Sequence, residues 1–327
     1  SGRTPLRPAR YDFFTSSELR ILTPAPALGR RLLFQELNRY MQSLWMVAAS
    51  LLFACMGVCV KLGAAQFAAA ELVFWRGFIA TLLLGSFILA RRLPLATPHM
   101  RTHVVRGLAG FVSLVMYFYA ISLIPLAAAV TLNYTSPLFL ALLLVLWLKE
   151  PVRRGFYAVL AAGFVGVVFL LQPTLARDQW LGAAFGLGSG IISSIAYLNV
   201  RRLGELGEPE WRTVFYFSAL SALGGLPWLL LANPFHAIDL RGWLLLLGVG
   251  GFGVLAQLCM TAAYKRGKTL VSASLAYSTV VFSSAFGMLL WDETLPWSGW
   301  LGVILIVASG VLATAFSRRT DTAAVTD

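Results

Sequence analysis

Long apolar runs dominate this sequence and place the strongest limit on its fold. Each run is close to the roughly 20 residues that a helix needs to cross a membrane. Backbone groups in lipid must hydrogen-bond within their own segment, and no alternating barrel pattern is present, so the runs are predicted to be helices. Ten such spans lie at about 44–63, 70–90, 104–123, 126–148, 155–172, 180–200, 213–231, 242–264, 270–291 and 297–316.

Composition agrees with a membrane protein. The chain is 58% hydrophobic and 12% charged, whereas soluble domains carry roughly 25% charged residues. The net charge is +12, but no basic patch is interleaved with aromatic residues, so nucleic-acid binding is not expected. The lipid bilayer is the expected surrounding, and no pattern predicts an oligomeric state.

The basic residues of the connections alternate along the chain. The odd-numbered connections hold only Arg177 and Arg241. The even-numbered connections and the segment after the last span carry Arg91, Arg92, Arg101, Arg106, Lys149, Arg153, Arg154, Arg201, Arg202, Arg212, Lys265, Arg266, Lys268, Arg318 and Arg319. Because basic loops stay in the cytoplasm, both termini are predicted to be cytoplasmic, in a bacterial inner membrane.

A repeat links the fourth span to the ninth. Tyr134 and Tyr277 are 143 residues apart, and so are Glu150 and Glu293. Each half then has five spans, an odd number, so the second half enters the membrane from the opposite side. The predicted fold is an all-α membrane protein with ten transmembrane helices in two inverted five-helix repeats, at residues 41–176 and 177–319.

Two segments lie outside the predicted repeats. Residues 1–40 hold four prolines and seven arginines and no apolar run, and they are predicted to form a disordered basic tail. Met41, directly before the first span, is an alternative start of the natural protein. Residues 320–327 form a short polar tail.

The pattern resembles the drug/metabolite transporter superfamily, and most closely its EamA-type branch. A glutamate closes the fourth span of each half before a glycine-rich fifth span, and two short motifs are also similar: Phe74-Trp75-Arg76-Gly77, and Leu148-Lys149-Glu150-Pro151 followed by Gly155. The resemblance covers about 44–316. It implies secondary transport of small metabolites, often export, without an ATP site. Val280 replaces Pro137 in the second half, which suggests asymmetric gating.

Arg76 is the most prominent candidate binding residue. It lies about 9 Å inside the second span, where a charge is costly and should face a cavity or a partner. It is predicted to contact an anionic group or to act in a gate; an ion pair, for which Glu71 is near, or snorkelling is the alternative. Lys61 is either a snorkelling side chain or a second cation near Arg76. Lys61, Glu71 and Pro137 are also candidate gating or hinge residues.

Polar residues around Pro137 form a second candidate region. Pro137 cannot donate a backbone hydrogen bond, so it should kink the fourth span and free a carbonyl near Asn133. Asn133, Tyr134 and Ser136, with Tyr277 and Ser278 in the repeat copy, either line a substrate site across the twofold axis or bond between helices.

Other polar residues within spans are further candidates for the cavity lining, with ordinary helix packing as the alternative: Tyr117, Tyr119, Tyr197, Asn199 and Gln257. Glu150 and Glu293 are predicted to act in gating or proton coupling, or else to stabilise a helix start through its dipole.

Several other functions are not supported by the sequence. Gly248-Val-Gly-Gly-Phe-Gly253 lies within an apolar span, so it does not indicate a dinucleotide site. His99 and His103 lie on a connection with no nearby acidic or Cys partner expected, and the cysteines show no metal spacing, so neither metal nor cofactor is expected. No nucleophile–base pair or H-E-x-x-H motif indicates an enzyme.

The predicted function is secondary active transport of a small organic metabolite by alternating access. An amino acid-, nucleoside- or vitamin-like solute is expected, with coupling to protons or by exchange. Export is slightly favoured. A non-transporting membrane scaffold or a channel is the alternative function.

Overall fold

The computed structural model describes residues 25–147, 154–171, 179–232, 238–266 and 275–323. The chain divides into two units, residues 1–41 and 42–327. In the first unit, residues 25–41 form the beginning of helix α1. The contacts described below all belong to the second unit. The helices are α1 (Ala25–Gly63), α2 (Ala69–Ala90), α3 (Met100–Leu123), α4 (Leu126–Asn133), α5 (Ser136–Trp147), α6 (Arg154–Leu171), α7 (Trp180–Glu205), α8 (Glu210–Ala232), α9 (Leu240–Arg266), α10 (Ser278–Trp291) and α11 (Trp297–Ala323).

The described residues form an all-helical membrane protein. Six helical segments are long and apolar enough to cross a membrane: 44–63, 69–90, 100–123, 180–205, 210–231 and 240–264. Four shorter apolar helical stretches fall on the remaining predicted spans. The helical, apolar character of the predicted spans is therefore confirmed where they are described. That ten helices cross the membrane in two inverted repeats stays a prediction.

Helices from the two halves of the sequence pack against one another. α2 packs most extensively on α8, α3 on α7, and α6 on α11. Glycine allows the closest of these approaches: a Cβ at Gly77 of α2 would lie 2.6 Å from the backbone nitrogen of Ala222 in α8. At Gly166 of α6 it would lie 2.9 Å from the carbonyl oxygen of Gly302 in α11. Small residues let membrane helices pack backbone to backbone, so the halves are interlocked.

Both copies of the repeated segment are interrupted at the shared tyrosine. α4 ends at Asn133 and α5 begins two residues after Tyr134, while Tyr277 forms a turn directly ahead of α10. At the first break the hydroxyl of Thr135 donates to the carbonyl oxygen of Leu132 over 2.6 Å. That bond occupies an acceptor that a continuing helix would use.

Pro137 has a different place from the one predicted. Rather than bending a continuous helix, it lies in the first turn of α5, where a missing backbone N–H has little cost. The second copy is interrupted as well, although Val280 stands at the equivalent position. Proline alone therefore does not explain the interruption. The side chain of Pro137 lies outside the described part of the chain.

The buried carboxylate of Glu208 forms hydrogen bonds with both the connection between α2 and α3 and helix α8. Glu208 is 5% exposed and accepts hydrogen bonds from Thr97 and, over 2.8 Å, from Arg212. His103 Nε2 lies 3.5 Å from its second oxygen, so the sequence-based view that this histidine lacks an acidic neighbour was wrong. Burial raises the pKa of Glu208, but the bonds from Thr97 and Arg212 outweigh burial and leave this pKa below its usual value.

Replacing Glu208 by glutamine should lower the free energy of unfolding by about 2 kcal/mol, as expected for hydrogen bonds to a charged group. Because the folded-state pKa is depressed, this stabilisation is present at neutral pH and is lost as the pH falls through that pKa. Thermal unfolding in detergent at several pH values measures both effects. The matched control is Glu205→Gln, which breaks the exposed pair with Arg201 and should change little. Equal unfolding midpoints for the two variants would contradict the assignment.

Candidate functional site

A small cavity lies among seven of the helices. Its volume is about 60 Å³, which is room for a few water molecules and less than the roughly 300–1,000 Å³ of typical ligand pockets. It is lined by Phe53, Met56, Arg76, Arg106, Gly110, Ser113, Leu114, Tyr117, Asn133, Tyr134, Ser193, Ala196, Tyr197, Phe217 and Gln257. The lining combines aromatic rings, hydroxyls, amides and two cations, and it draws on both halves of the sequence.

Two arginines meet at one aromatic ring in the cavity wall. Arg76 of α2 is 1% exposed and Arg106 of α3 is 3% exposed. The Cζ atom of Arg76 lies 5.0 Å from the ring centroid of Phe217, and that of Arg106 lies 4.0 Å from it. Arg106 also donates from Nη2 to the amide oxygen of Gln257 over 3.2 Å. The ring faces supply favourable cation–π contacts but no negative charge.

Both guanidinium groups retain unused donors. Nε and Nη1 of Arg76 and Nε of Arg106 are buried without a hydrogen-bond partner. Within the described residues neither arginine forms an ion pair. Glu71, considered from the sequence as an ion-pair partner of Arg76, is buried in the first turn of α2. Buried charges without a counter-charge are costly and mark functional positions in membrane proteins.

Hydroxyl and amide groups join α3, α4 and α7 at the same cavity. Ser113 of α3 donates to the carbonyl oxygen of Ser189 over 3.0 Å, and its hydroxyl lies 2.6 Å from that of Ser193. Asn133, at the end of α4, donates from Nδ2 to Ser189 Oγ over 2.9 Å. The interruption after Asn133 thus presents an amide to a polar seam on α7.

The two interrupted segments lie side by side. The rings of Tyr134 and Tyr277 have centroids 6.3 Å apart, and the Tyr134 hydroxyl lies 2.8 Å from Thr279 Oγ1. The position equivalent to Thr279 in the first copy is Ser136. The Tyr277 hydroxyl is buried and has no hydrogen-bond partner among the described residues. The repeat is therefore asymmetric: one tyrosine makes its bond to the opposite copy and the other does not.

The structure brings together six of the eleven predicted substrate-binding residues. The cavity lining includes Arg76, Tyr117, Asn133, Tyr134, Tyr197 and Gln257. Five lie outside it: Tyr119, Ser136, Asn199, Tyr277 and Ser278.

Helix geometry explains two of these placements. Side chains two residues apart on a helix point in nearly opposite directions, since each residue turns by about 100°. Tyr117 faces the cavity, so Tyr119 cannot, and its ring instead lies 5.3 Å from that of Phe185. Tyr197 likewise faces inward, and Asn199 donates to the carbonyl oxygen of Ile195 over 2.8 Å on its own helix. Ser136 is buried at the start of α5.

Two of the predicted gating residues form a cluster away from the cavity. Lys61 pairs with Glu293 and lies 5.1 Å from the ring centroid of Trp291. The second oxygen of Glu293 accepts a hydrogen bond of 2.9 Å from the backbone N–H of Leu126, the first residue of α4. Lys61 therefore neither snorkels nor lines the cavity. Glu150 lies outside the described residues.

Arg106 was not expected at the cavity, because from the sequence it was counted among the connection residues. It lies in the second turn of α3 and shares a face with Gly110, Ser113 and Tyr117. These positions are spaced by four, three and four residues, which is the spacing of one helix face. This spacing of polar residues was the signal that could have placed Arg106 at the cavity. Instead, Arg106 was counted with the basic residues of a cytoplasmic loop.

A metal centre has no support in the described part of the chain. Groups of three or more His, Cys, Asp or Glu side chains that could hold a metal are not found there. Cys55, Cys59 and Cys259 are free thiols. What the cavity offers is recognition by cations, hydroxyls, amides and aromatic rings.

Comparison with protein families gives two matches along the chain. The model described as "EamA-like transporter family" matches residues 41–172 and again residues 180–315. The two matches fall on the two predicted halves and leave out the N-terminal segment.

Several curated relatives match over most of their own length. The chain is 34% identical over 266 residues to the pseudopaline exporter CntI of Pseudomonas aeruginosa, covering 80% of this chain and 92% of the relative. It is 26% identical over 285 residues to a riboflavin transporter of Vibrio cholerae, covering 85% and 94%. It is 24% identical over 238 residues to an S-adenosylmethionine uptake transporter of Rickettsia bellii, covering 72% and 80%.

A solved crystal structure has a similar fold. It matches with a TM-score of 0.62 and 23% identity, over 86% of this chain and 99% of that chain. At this identity the likeness concerns the fold alone.

Proposed function

The chain belongs to the EamA-like transporter family, and from this premise we propose that it moves a small organic metabolite across the bacterial inner membrane by alternating access. It is a membrane transporter and not an enzyme. The cavity shared by the two halves is the proposed substrate site, and both termini are placed in the cytoplasm. Movement is driven by protons or by exchange of solutes, with no cofactor.

The cavity with its two buried arginines is the observation that carries this proposal. It is lined by residues of α1, α2, α3, α4, α7, α8 and α9, so relative movement of the halves would change its size and its access. Binding sites of transporters with inverted repeats lie between the repeats, beside interrupted helices. The interruptions at Tyr134 and Tyr277 fit that arrangement.

The asymmetry of the repeat indicates how two states could alternate. In this structure Tyr134 bonds to Thr279, while Tyr277 has no described partner. In the exchanged state Tyr277 would bond to Ser136, and the first bond would open. Glu293, which holds the start of α4, would act as a gate on the external side, and Glu150 is its proposed counterpart on the cytoplasmic side.

The relatives narrow the expected class of solute. Their names refer to pseudopaline, riboflavin and S-adenosylmethionine, which are small organic metabolites. An amino acid-, nucleoside- or vitamin-like solute is proposed here. Export is slightly favoured, because a relative that is 34% identical is named as an exporter.

Counterflow in proteoliposomes tests the proposal. Vesicles preloaded with an unlabelled solute from a panel of amino acids, nucleosides and vitamins should accumulate the same labelled solute, and protein-free vesicles should not. Tyr134→Phe, which removes only the bond to Thr279, should slow counterflow several-fold. Tyr119→Phe, which alters the opposite face of a cavity helix, is the matched control and should leave counterflow unchanged.

The alternatives give different results in the same experiment. A channel would equilibrate solutes without stimulation by the preloaded solute, because it has no site that must return across the membrane. A scaffold would move none of the panel, although the protein is folded. Either result would contradict the proposed function.

A further inference from the structure

We propose that the cavity binds an organic anion with two carboxylate groups, held by Arg76 and Arg106 together. This inference rests on the proposed transport function and specifies the chemistry of the solute that the cavity takes.

The charge of the cavity lining is unbalanced. The cavity lining contains two guanidinium groups and no acidic residue. The two arginines are 1% and 3% exposed and form no ion pair within the described residues. Two buried like charges near one another destabilise a fold unless a counter-charge is supplied. A solute with two negative charges would supply it.

The two guanidinium groups approach the same aromatic ring. The Cζ atoms lie 5.0 Å and 4.0 Å from the same Phe217 ring centroid, so they are at most about 9 Å apart, a distance that a short dicarboxylate can bridge. Three of their N–H-bearing atoms have no partner: Nε and Nη1 of Arg76 and Nε of Arg106. A guanidinium N–H donates a charge-assisted hydrogen bond to a carboxylate oxygen. Each arginine therefore retains at least one donor for a carboxylate.

The rest of the cavity wall suits the carbon skeleton of such a solute. The remaining wall is rich in aromatic rings, including Phe53, Tyr117, Tyr134 and Tyr197, which favour an apolar carbon skeleton between the charged ends. At about 60 Å³ the cavity is contracted, and a whole solute would require it to widen. Movement between alternating-access states provides such widening.

Ligand-dependent stability of the full chain in detergent tests the inference without transport. The probes are succinate, its neutral analogue succinamide, the monocarboxylate butyrate and inorganic phosphate. Succinate should raise the unfolding midpoint with saturation. Succinamide should have no effect, and butyrate should require at least a tenfold higher concentration. An equal response to succinamide, or a stronger response to phosphate, would overturn the assignment to a dicarboxylate.

Two variants identify the site. Arg76→Met and Arg106→Met should each weaken the succinate response at least tenfold. Without ligand their midpoints should equal or exceed that of the unchanged protein, since each removes an uncompensated buried charge. Arg201→Met is the matched control, because that arginine is an exposed residue of α7, and it should keep the full response.

Two results would overturn the role of the arginines. One is an unchanged succinate response in both methionine variants. The other is failure of both variants to fold, which would assign a structural role to the guanidinium groups. If only Arg76→Met fails to fold, Arg76→Lys is used in its place, since it keeps the positive charge. Arg76→Lys should then retain a response to succinate. Complete loss of that response would overturn the proposed contact between Arg76 and a carboxylate.

Counterflow separates this inference from the transport function. Transport of neutral solutes without any succinate binding overturns the anion site and leaves transport standing. Succinate binding without counterflow of any solute, including succinate itself, overturns the transport function and leaves the anion site standing.

Discussion

Replacing Glu293 by glutamine is expected to slow counterflow by at least tenfold while the protein remains folded. The carboxylate joins Lys61 of α1 to the first backbone N–H of α4, and a negative charge at a helix start is favourable. Hydrogen bonds to a charged group contribute about 2 kcal/mol. If these contacts exist in only one of two alternating states, their loss shifts the population of the states by about thirtyfold. Initial counterflow rates in proteoliposomes measure the effect.

The neighbouring residue provides the control for Glu293. Asp292 is exposed and has a positive φ of 51°, a conformation that asparagine also tolerates. Asp292→Asn removes the same charge from the same end of α10 and should change counterflow little. A double-mutant cycle with Lys61→Met measures the coupling of the pair. Equal rates for Glu293→Gln and Asp292→Asn would exclude a gating role for Glu293.

Replacing Gly77 by alanine is expected to lower the free energy of unfolding by about 3 kcal/mol, at the upper end of overpacking costs. The new Cβ would lie 2.6 Å from the backbone nitrogen of Ala222 and 2.8 Å from the carbonyl oxygen of Ser218. Those atoms belong to the backbone of α8 and cannot rotate away. α2 and α8 must separate, which would also displace the adjacent Arg76 from the cavity. Thermal unfolding of the purified variant measures the loss.

The same substitution at Gly251 of α9 should act in the opposite direction. A Cβ there meets no atom within 4 Å, and alanine is favoured over glycine within a helix by up to about 1 kcal/mol. Gly251→Ala should therefore unfold at an equal or higher temperature. If both variants lose stability to a similar degree, helix propensity or membrane insertion, and not the contact between α2 and α8, would explain the result for Gly77.

Much of the fold could be predicted from the sequence, because a bilayer restricts the choice. Apolar length determines where helices lie, and the equal spacing of Tyr134 to Tyr277 and of Glu150 to Glu293 identified the related segments. In the structure these two tyrosines have ring centroids 6.3 Å apart. Arg76 was also identified from the sequence as a candidate site residue, because a charge deep within an apolar run is costly and indicates a function.

The parts of the site that could not be predicted depend on contacts between distant segments. The bond from Leu126 to Glu293 spans 167 residues, and no local pattern encodes it. Arg106 lies in the second turn of its helix, so its distance from the helix end does not separate it from loop arginines. Phe217 is one phenylalanine among 22, and only the packing of α8 places its ring within 5.0 Å of both cations.

Interlocking of the two halves has a consequence for biosynthesis. The face of α2 that holds Gly77 packs against Ser218 of α8. The ribosome synthesises Ser218 about 140 residues after Gly77. At about 5–20 residues per second, the nascent first half waits roughly 7–30 seconds in the membrane with that face turned to lipid. Its apolar helices must therefore remain in the membrane without their final neighbours, and assembly should be completed only when the ribosome has delivered the second half.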